Sequence, residues 1–409
     1  MAAAGDGRRD TAVIVLVGVA HYTSHVLQLA LAPLFPILHT VFGVSFTELG
    51  LIVTLFYSVS GLGQAGAGIL VDRYGARPLL VGGLVLLSGA IALAGLAPSY
   101  WVFLPLAIVA GLGNSVFHPA DLSILSHCVR EGRLGRAYAV HGFAGALGYA
   151  TAPVLVVAIA SATSWRAAPV AVGFGGLAIA ALIQVNRGRL AYAGSAARAG
   201  ETAQRRGSYL AVIGAPVVLM AFAYFVLSAF AGTGLQTFSI TALVAGYGLA
   251  ATTAPLALTA YLIGSALGIA FGGFLADRVR QHHRVAMTGM AIAAALMLIL
   301  AASPGLGLAA IPLMFCAGVA TGTTGPSRDV LIRRAARGIG MGSVFGFVYS
   351  GFDLGSSTAP LLFGALMDHH SPHAVFLGVA IALALAVPTV LQVQHRVRAG
   401  AAATAAAGD

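Results

Sequence analysis

Twelve long apolar runs most constrain what this chain can fold into. The sequence of 409 residues is 59% hydrophobic and 8% charged, whereas about 25% of residues are charged in an ordinary soluble domain. A run of about twenty apolar residues can cross about 30 Å of hydrocarbon as a helix. We therefore predict an all-α membrane protein with twelve transmembrane helices, at residues 12–38, 46–71, 78–97, 101–127, 138–161, 165–186, 209–234, 248–276, 285–302, 305–327, 339–366 and 373–394.

The arginines indicate how these helices are oriented. Every basic residue is an arginine, and all except Arg166 lie in alternate connections between the runs. Cytoplasmic loops of membrane proteins carry such an excess of positive charge, which predicts that both termini are cytoplasmic. The alternation also argues against nucleic acid as a partner, despite the net charge of +10, because a nucleic-acid-binding face would not skip every second connection.

Two sequence repeats indicate an internal duplication. GQAGAGILVDR at 63–73 returns as GIAFGGFLADR at 268–278, and GYATAPVL at 148–155 returns as GSSTAPLL at 355–362. Two matches at nearly the same offset predict a duplicated unit, as in many transporters. The predicted domains are a six-helix bundle, a cytoplasmic linker, a second six-helix bundle and a disordered Ala/Gly-rich tail, at residues 1–186, 187–208, 209–395 and 396–409.

The loop after the second run carries a motif that links the chain to a known family. Gly68, Asp72, Arg73, Gly75 and Arg77 fit the pattern G-x-x-x-D-R-x-G-R. With this motif, twelve runs and a repeat, the chain resembles the major facilitator superfamily over nearly its whole length. The resemblance implies two pseudo-symmetric bundles of six helices that work by alternating access as a monomer.

The same resemblance implies that the motif forms a gate. Asp72 and Arg77 would latch the two halves on the cytoplasmic side, with Asp121 as the acidic partner of Arg77. The predicted gating residues are Gly68, Asp72, Arg73, Gly75, Arg77, Asp121, Asp277 and Arg278. The alternative is that Asp72 only caps its helix and that the arginines only set the topology.

Polar residues form stripes inside three of the runs. They recur at positions i, i+3 or i+4 and i+7, which lie on one face of a helix. The stripes are His21, His25 and Gln28; Asn114, His118 and Asp121; and Tyr349, Asp353 and Ser356. Together with the family resemblance, they predict a common water-filled cavity and a set of substrate-binding residues: His21, His25, Gln28, Asn114, His118, Gln236, Thr321, Thr324 and Tyr349.

Ionisable side chains are costly within a membrane, so those that occur there are candidates for function. A buried carboxyl group and imidazole rings can each take up and release a proton. We therefore predict Asp353, His25 and His118 as proton-coupling residues. The alternative for each histidine is a structural role in a hydrogen bond.

Neither metal chemistry nor catalysis is expected from the sequence. His21, His25 and His118 could chelate a metal ion, but no cysteine or carboxylate clearly completes the set. His118 and Asp121 lack the nucleophile and oxyanion donors of an acyl-transfer site. The predicted protein is therefore not an enzyme and has neither a metal nor a cofactor.

The substrate is constrained by the charges and by two further resemblances. No arginine or lysine lies in the middle of a predicted span, which favours a neutral, weakly basic or amphipathic solute over a phosphate or dicarboxylate. GFAGALGYATAP in the fifth run resembles exporters of the superfamily, and GNSVFHPAD in the fourth resembles its fosmidomycin-resistance branch. We predict proton-coupled export of a small organic compound or drug across the inner or plasma membrane, with substrate, protons and membrane lipid as partners. The alternatives are uptake of a small metabolite by symport and a solute sensor that does not transport.

Overall fold

The computed structural model describes residues 2–190, 215–335 and 341–406. Within these residues the chain forms α-helices and short 3₁₀ turns, and no β-strand. Eleven of the described segments are long and apolar enough to cross a membrane, and the 28-residue helix Met341–Asp368 is of similar length. The prediction of an all-α membrane protein is confirmed. The helices are α1 (Ala2–Gln28), α2 (Phe35–Phe42), α3 (Phe46–Tyr74), α4 (Ala76–Ala94), α5 (Phe103–Asn114), α6 (Phe117–Cys128), α7 (Leu134–Ala162), α8 (Ala167–Val185), α9 (Pro216–Tyr247), α10 (Ala254–Arg278), α11 (His282–Ala302), α12 (Ala310–Ala335), α13 (Met341–Asp368) and α14 (Pro372–Ala406).

Two of the predicted spans are broken helices. The first span consists of α1, a 3₁₀ turn at Ala32–Leu34 and α2. The fourth consists of α5 and α6, separated at residues 115–116. Pro33 and Pro119 account for the breaks, because proline has no N–H to continue the helical hydrogen bonds and its ring clashes with the preceding turn. The second break lies between Asn114 and His118, two predicted cavity residues.

The ends of α3 follow from its sequence. Glu48 and Ser45 form a capping box, in which the Ser45 hydroxyl accepts a hydrogen bond from the Glu48 N–H and the Glu48 carboxylate accepts one from the Ser45 N–H. At the other end, Gly75 has φ 86° and ψ 149°, a conformation that is essentially restricted to glycine. Gly75, predicted as a gating residue, is therefore the point at which the chain leaves α3 and enters α4.

The C-terminal half differs from the predicted spans at two places. The seventh span was expected to end at residue 234, but α9 continues to Tyr247 and ends at Gly248, which has φ 67°. Its polar residues do not end the helix, because a hydroxyl such as that of Thr233 bonds to Ser356 instead of to water. The last helix, α14, continues to Ala406, past the predicted start of the disordered tail at residue 396. Its terminal segment is rich in alanine, the residue with the highest helix propensity. The predicted linker lies, from residue 191 onward, outside the described residues.

The chain divides into two compact units. The N-terminal unit comprises Met1–Arg198 with Ala251–Thr259, and the C-terminal unit comprises Ala199–Ala250 with Ala260–Asp409. In the N-terminal unit α1 packs against α7, and α4 packs against α5 and α8. In the C-terminal unit α9 packs against α13 and α14, and α11 packs against α12 and α14.

Glycines bring α10 and α12 into backbone contact within the C-terminal unit. Gly268 and Gly272 lie so close to α12 that a β-carbon at either position would overlap a backbone carbonyl of that helix. Gly318 and Gly322 of α12 face the backbone of α10 in the same way. Small residues spaced four apart allow such close approach of membrane helices. Gly268 and Gly272 belong to the second copy of the repeat, so that copy acts here in helix packing.

We expect Gly272→Ala to lower the free energy of unfolding by about 1–3 kcal/mol, the usual cost of overpacking. The new methyl group would meet the Thr323 backbone, with Cα at 2.8 Å, and would force α10 away from α12. Gly273→Ala is the matched control, because nothing lies within 4 Å of a β-carbon there. Unfolding of both variants by sodium dodecyl sulfate in mixed micelles measures the difference. Equal midpoints for the two variants would contradict the packing interpretation.

Candidate functional site

Three helices of the N-terminal unit bring four histidines and one aspartate together. We call His21, His25, His118, Asp121 and His141 the histidine–aspartate cluster. His21 and His25 lie one turn apart on α1, His118 and Asp121 lie one turn apart on α6, and His141 comes from α7. The predicted stripes on the first and fourth spans thus face each other within one bundle.

Asp121 is the centre of the cluster. Its side chain is fully buried, and its Oδ2 lies 3.1 Å from His21 Nδ1 and 3.1 Å from His141 Nε2. A hydrogen bond joins Asp121 to His141. The rings of His21 and His141 stack with their centroids 3.6 Å apart. One carboxylate therefore links α6 to both α1 and α7 in the interior of the unit.

The cluster continues toward Gln28 at the end of α1. The ring centroid of His25 lies 4.4 Å from that of His21 and 4.1 Å from that of Tyr149 on α7. The Tyr149 hydroxyl donates a hydrogen bond of 2.6 Å to Gln28 Oε1. His118 is exposed at the surface of the unit, with its ring centroid 5.5 Å from that of His21. The polar groups thus form one connected series from His118 to Gln28.

Glycines of α7 make room for these rings. A β-carbon at Gly145 would lie 2.8 Å from His21 Nε2 and 3.0 Å from His25 Cε1. A β-carbon at Gly148 would overlap the carbonyl oxygen of Tyr22 and lie 3.0 Å from His25 Cβ. Gly145 and Gly148, from the segment GFAGALGY that resembles an exporter motif, therefore allow α1 and its histidines to pack directly onto α7.

An apolar pocket lies beside Gln28. It is partly open, and its empty space of about 470 Å³ includes open solvent. Phe56, Phe103 and Leu106 are among its lining residues, and Gln28 is the polar one. The pocket offers an apolar surface and one amide group to a solute that binds there. Asn114, predicted as a cavity residue, instead donates a hydrogen bond of 2.8 Å to Ser60 of α3.

In this structure Asp121 and Arg77 have other partners than each other. The Asp121 side chain is buried against two histidines, whereas the Arg77 guanidinium donates a hydrogen bond of 3.5 Å to the carbonyl of Arg187. The prediction of this ion pair relied on the position of Asp121 near the end of a span. The break in that span places Asp121 at the start of α6, facing α1 and α7.

The other predicted gating residues lie at the ends of α3 and α10. Asp72 and Arg73 are exposed, and Gly68 has open space around its α-carbon. Arg278 is exposed and stacks over Phe274, with the guanidinium carbon 3.6 Å from the ring centroid. The side chain of Asp277 lies outside the described residues.

In the C-terminal unit the predicted cavity residues make separate contacts. Thr324 accepts a hydrogen bond of 3.2 Å from Tyr224, and the Thr321 hydroxyl lies 3.4 Å from that of Tyr261. The Tyr349 hydroxyl donates to Asp329 at 3.4 Å. Gln236 and Asp353 are half-buried, on α9 and α13.

Arg328 lies one residue beyond the predicted tenth span and packs inside the C-terminal unit. It belongs to the apolar segment Pro304–Ile332, where its side chain is 18% exposed and bonds to Asp329 at 2.9 Å. Its guanidinium carbon lies 4.5 Å from the ring centroid of Phe225. The predicted span ended one residue earlier, which assigned Arg328 to a loop. Arg328 lies four residues from the end of this segment, so the expectation that no cation lies in the middle of a span stays a prediction.

Two residues of the site, His141 and Tyr149, were not predicted as part of it. Asp121 was predicted as a gating residue and not as the buried centre of the cluster. His141 and Tyr149 lie on α7, whose sequence is apolar and rich in glycine, and they have no stripe of their own. The i, i+3 spacing of His118 and Asp121 was the available signal for Asp121. The partners from α7 become visible only when the helices are packed.

Comparisons with known proteins agree with this architecture. A family profile described as Major Facilitator Superfamily matches residues 14–255 and 217–407. The fosmidomycin resistance protein of Escherichia coli (strain K12) is 25% identical over 281 residues, which cover 68% of this chain and 68% of that protein. Multidrug resistance protein MdtH of Klebsiella pneumoniae subsp. pneumoniae is 34% identical over 80 residues, or 20% of each chain. The crystal structure of a bacterial homologue of the human lysosomal transporter Spinster, inward-facing and occupied, matches with a TM-score of 0.75 and 14% identity over 94% of this chain and 97% of that chain.

Proposed function

Because the chain belongs to the Major Facilitator Superfamily, a family of membrane transporters and not of enzymes, we propose that it exports a small organic compound in exchange for protons. In this proposal it works as a monomer in the inner or plasma membrane, by alternating access of two six-helix halves, 1–186 and 209–395, joined by the linker 187–208. Membrane lipid surrounds both halves.

The apolar pocket beside Gln28 is the observation that carries the choice of substrate. An apolar wall with a single amide group suits a small amphipathic compound, since burial of apolar surface would provide most of the binding free energy. Gln28 is held by Tyr149, so its amide can offer a fixed hydrogen bond. The names of the fosmidomycin resistance protein and of MdtH support export of a small organic compound or drug. His21, His25, Asn114, His118, Gln236, Thr321, Thr324 and Tyr349 stay predictions as further substrate-binding residues.

Asp353 supports the coupling to protons. It lies within α13, and the ion pairs found among the described residues do not include it. A carboxyl group without a cationic partner inside a membrane helix is a candidate to carry a proton. His25 and His118 stay predictions as additional coupling groups.

We expect Asp353→Asn to abolish flux that is driven by a pH gradient, because an amide cannot take up and release a proton near neutral pH. Ser350→Ala, on the exposed side of the same helix, is the matched control and should keep gradient-driven flux. Flux into proteoliposomes of the wild type and the two variants measures both effects. Gradient-driven flux at the wild-type rate in Asp353→Asn would exclude this residue as the coupling group.

The transport assay can also separate the three candidate activities. Proteoliposomes are loaded with acidic buffer, diluted into neutral buffer and supplied with fosmidomycin or a lipophilic cationic dye. Exchange with protons predicts accumulation of the compound inside, whereas symport predicts accumulation only when the outside is acidic. Binding without flux in either gradient would favour a sensor and would contradict the proposed export.

The proposal also includes a cytoplasmic gate, in which Asp72 and Arg77 form the latch. The other proposed gating residues are Gly68, Arg73, Gly75, Asp277 and Arg278. Asp72 is exposed at the end of α3, where it can reach a partner outside its own helix. Arg77 is half-buried and its guanidinium bonds to a backbone carbonyl. These positions are compatible with a latch that forms and breaks during transport.

A further inference from the structure

We propose that His21, Asp121 and His141 form a binding site for one divalent transition-metal ion of the zinc class. A metal site was not expected from the sequence because no carboxylate completed the set of histidines. The structure supplies that carboxylate, since Asp121 lies between His21 and His141. The site goes beyond the proposed export activity and does not depend on it.

The distances between the three atoms fit such an ion. His21 Nδ1 and His141 Nε2 each lie 3.1 Å from Asp121 Oδ2, and all three ligand atoms are within 4.8 Å of one another. Zinc binds nitrogen and oxygen at about 2.0–2.1 Å in tetrahedral geometry, which places neighbouring ligand atoms about 3.3 Å apart. The two edges at Asp121 would therefore open by a few tenths of an ångström, and the edge between the two nitrogens, which is at most 4.8 Å, would adjust to about 3.3 Å. The stacked rings of His21 and His141 must also splay so that both nitrogens point at the ion.

Burial and charge favour a cation at this place. Asp121 is fully buried, and its Oδ1 has no hydrogen-bond partner among the described residues. The imidazoles of His21 and His141 are the polar groups found against its other oxygen. Burying a charge is costly unless it is paired. A divalent ion between the three ligands would compensate the carboxylate and would replace the proton that His141 now shares with Asp121.

The ligand types select the class of metal. Imidazole nitrogens suit Zn²⁺, Co²⁺, Ni²⁺ and Cu²⁺, whereas Mg²⁺ and Ca²⁺ prefer a shell of oxygens. Three protein ligands leave one position of a tetrahedral ion open. His118 lies one turn before Asp121 on α6, with its ring centroid 5.5 Å from that of His21 and 6.3 Å from that of His141. His118 and His25, whose ring centroid lies 4.4 Å from that of His21, are the further imidazoles beside the open position.

Because the ligands come from α1, α6 and α7, the bound ion would hold three helices together. We therefore assign it as a resident ion and not as the exported solute. Binding to the folded state alone raises the melting temperature with increasing ligand concentration. Zn²⁺ should stabilise the wild type in this way, and Mg²⁺ at the same concentration should not.

The test uses the full chain, purified in detergent with an affinity tag that contains no histidine. Titration with Co²⁺ should give visible absorption bands of a tetrahedral complex that saturate at one equivalent and disappear when Zn²⁺ is added. Loss of an outer-shell partner already lowers metal affinity about 10–100-fold, so Asp121→Asn and His141→Gln should each lower it at least about 100-fold. His369→Ala, an exposed histidine on the C-terminal unit, is the control and should bind as the wild type does.

Two results would overturn the site. One is a wild-type protein that neither shows the cobalt bands nor melts at a higher temperature with Zn²⁺. The other is saturable binding that persists unchanged in both Asp121→Asn and His141→Gln. Since the first measurement needs only the wild type, a variant that fails to fold does not leave the proposal untested.

Discussion

Replacing Asp121 by alanine is expected to lower the free energy of unfolding by about 2–4 kcal/mol, because buried groups that lose their partner keep their full desolvation cost. Asp121 Oδ2 lies within 3.1 Å of nitrogens on both His21 and His141. Without it the two imidazoles stay buried with no acceptor, and α6 loses its polar connection to α1 and α7. Unfolding by sodium dodecyl sulfate in mixed micelles, followed by circular dichroism, measures this loss.

Asp72→Ala provides the comparison for this variant. Asp72 is exposed, and substitutions at such positions usually change stability by no more than about 0.5 kcal/mol. We expect Asp72→Ala to unfold as the wild type does while transport falls, since the proposed latch loses its carboxylate. If Asp121→Ala unfolded at the wild-type midpoint, the histidine–aspartate cluster would not hold the three helices together. Wild-type transport in Asp72→Ala would remove this residue from the gate.

Gly145→Ala is expected to lower the free energy of unfolding by about 1–3 kcal/mol, as overpacking of an interior does, and to abolish transport. The added methyl group would lie 2.8 Å from His21 Nε2 and 2.9 Å from His21 Cδ2. The His21 ring cannot simply move away, because its other nitrogen lies against Asp121. Either α1 separates from α7 or the ring leaves its carboxylate. Unfolding in mixed micelles and flux into proteoliposomes report the two effects.

The control is three residues earlier on the same helix. Gly142 is exposed, and nothing lies within 4 Å of a β-carbon there. Gly142→Ala should therefore leave flux unchanged and raise helix stability slightly, by up to about 1 kcal/mol. The same loss of transport in both variants would mean that the glycines of α7 act through helix flexibility and not through the space that they give to His21 and His25.

Periodicity in the sequence was sufficient to place residues on faces of single helices. The spacing of His21 and His25 and that of His118 and Asp121 put each pair on one side of its helix, and the apolar runs gave the fold class. The packing of a helix against its neighbours leaves no such periodic pattern in the sequence. His141 and Tyr149 join the site because α7 packs against α1 through glycines, which is a property of the packed bundle.

Helix ends were the other source of error, for a physical reason. Apolar composition does not mark where a helix stops when its polar groups are satisfied inside the protein. The hydroxyl of Thr233 bonds to Ser356, so α9 continues beyond the polar stretch at which it was expected to end. The Arg328 guanidinium packs on Phe225 and bonds to Asp329, which allows a charge inside a segment that hydropathy alone would have ended before it.

Arg328 on α12 bears on how the two halves of the chain have diverged. Pro119 and Pro326 occupy equivalent places in the repeat, and two residues beyond each lies a charge that is mostly or fully buried: Asp121 in the first copy and Arg328 in the second. A single ancestral unit can have had only one residue there. Under the predicted duplication, the residue at this position has therefore changed in at least one of the two copies. The first half has an acidic centre among histidines, and the second has a basic centre among aromatic rings. The two halves therefore differ in chemistry although they share one architecture. A chain built from two identical copies of either half would lose one of these centres.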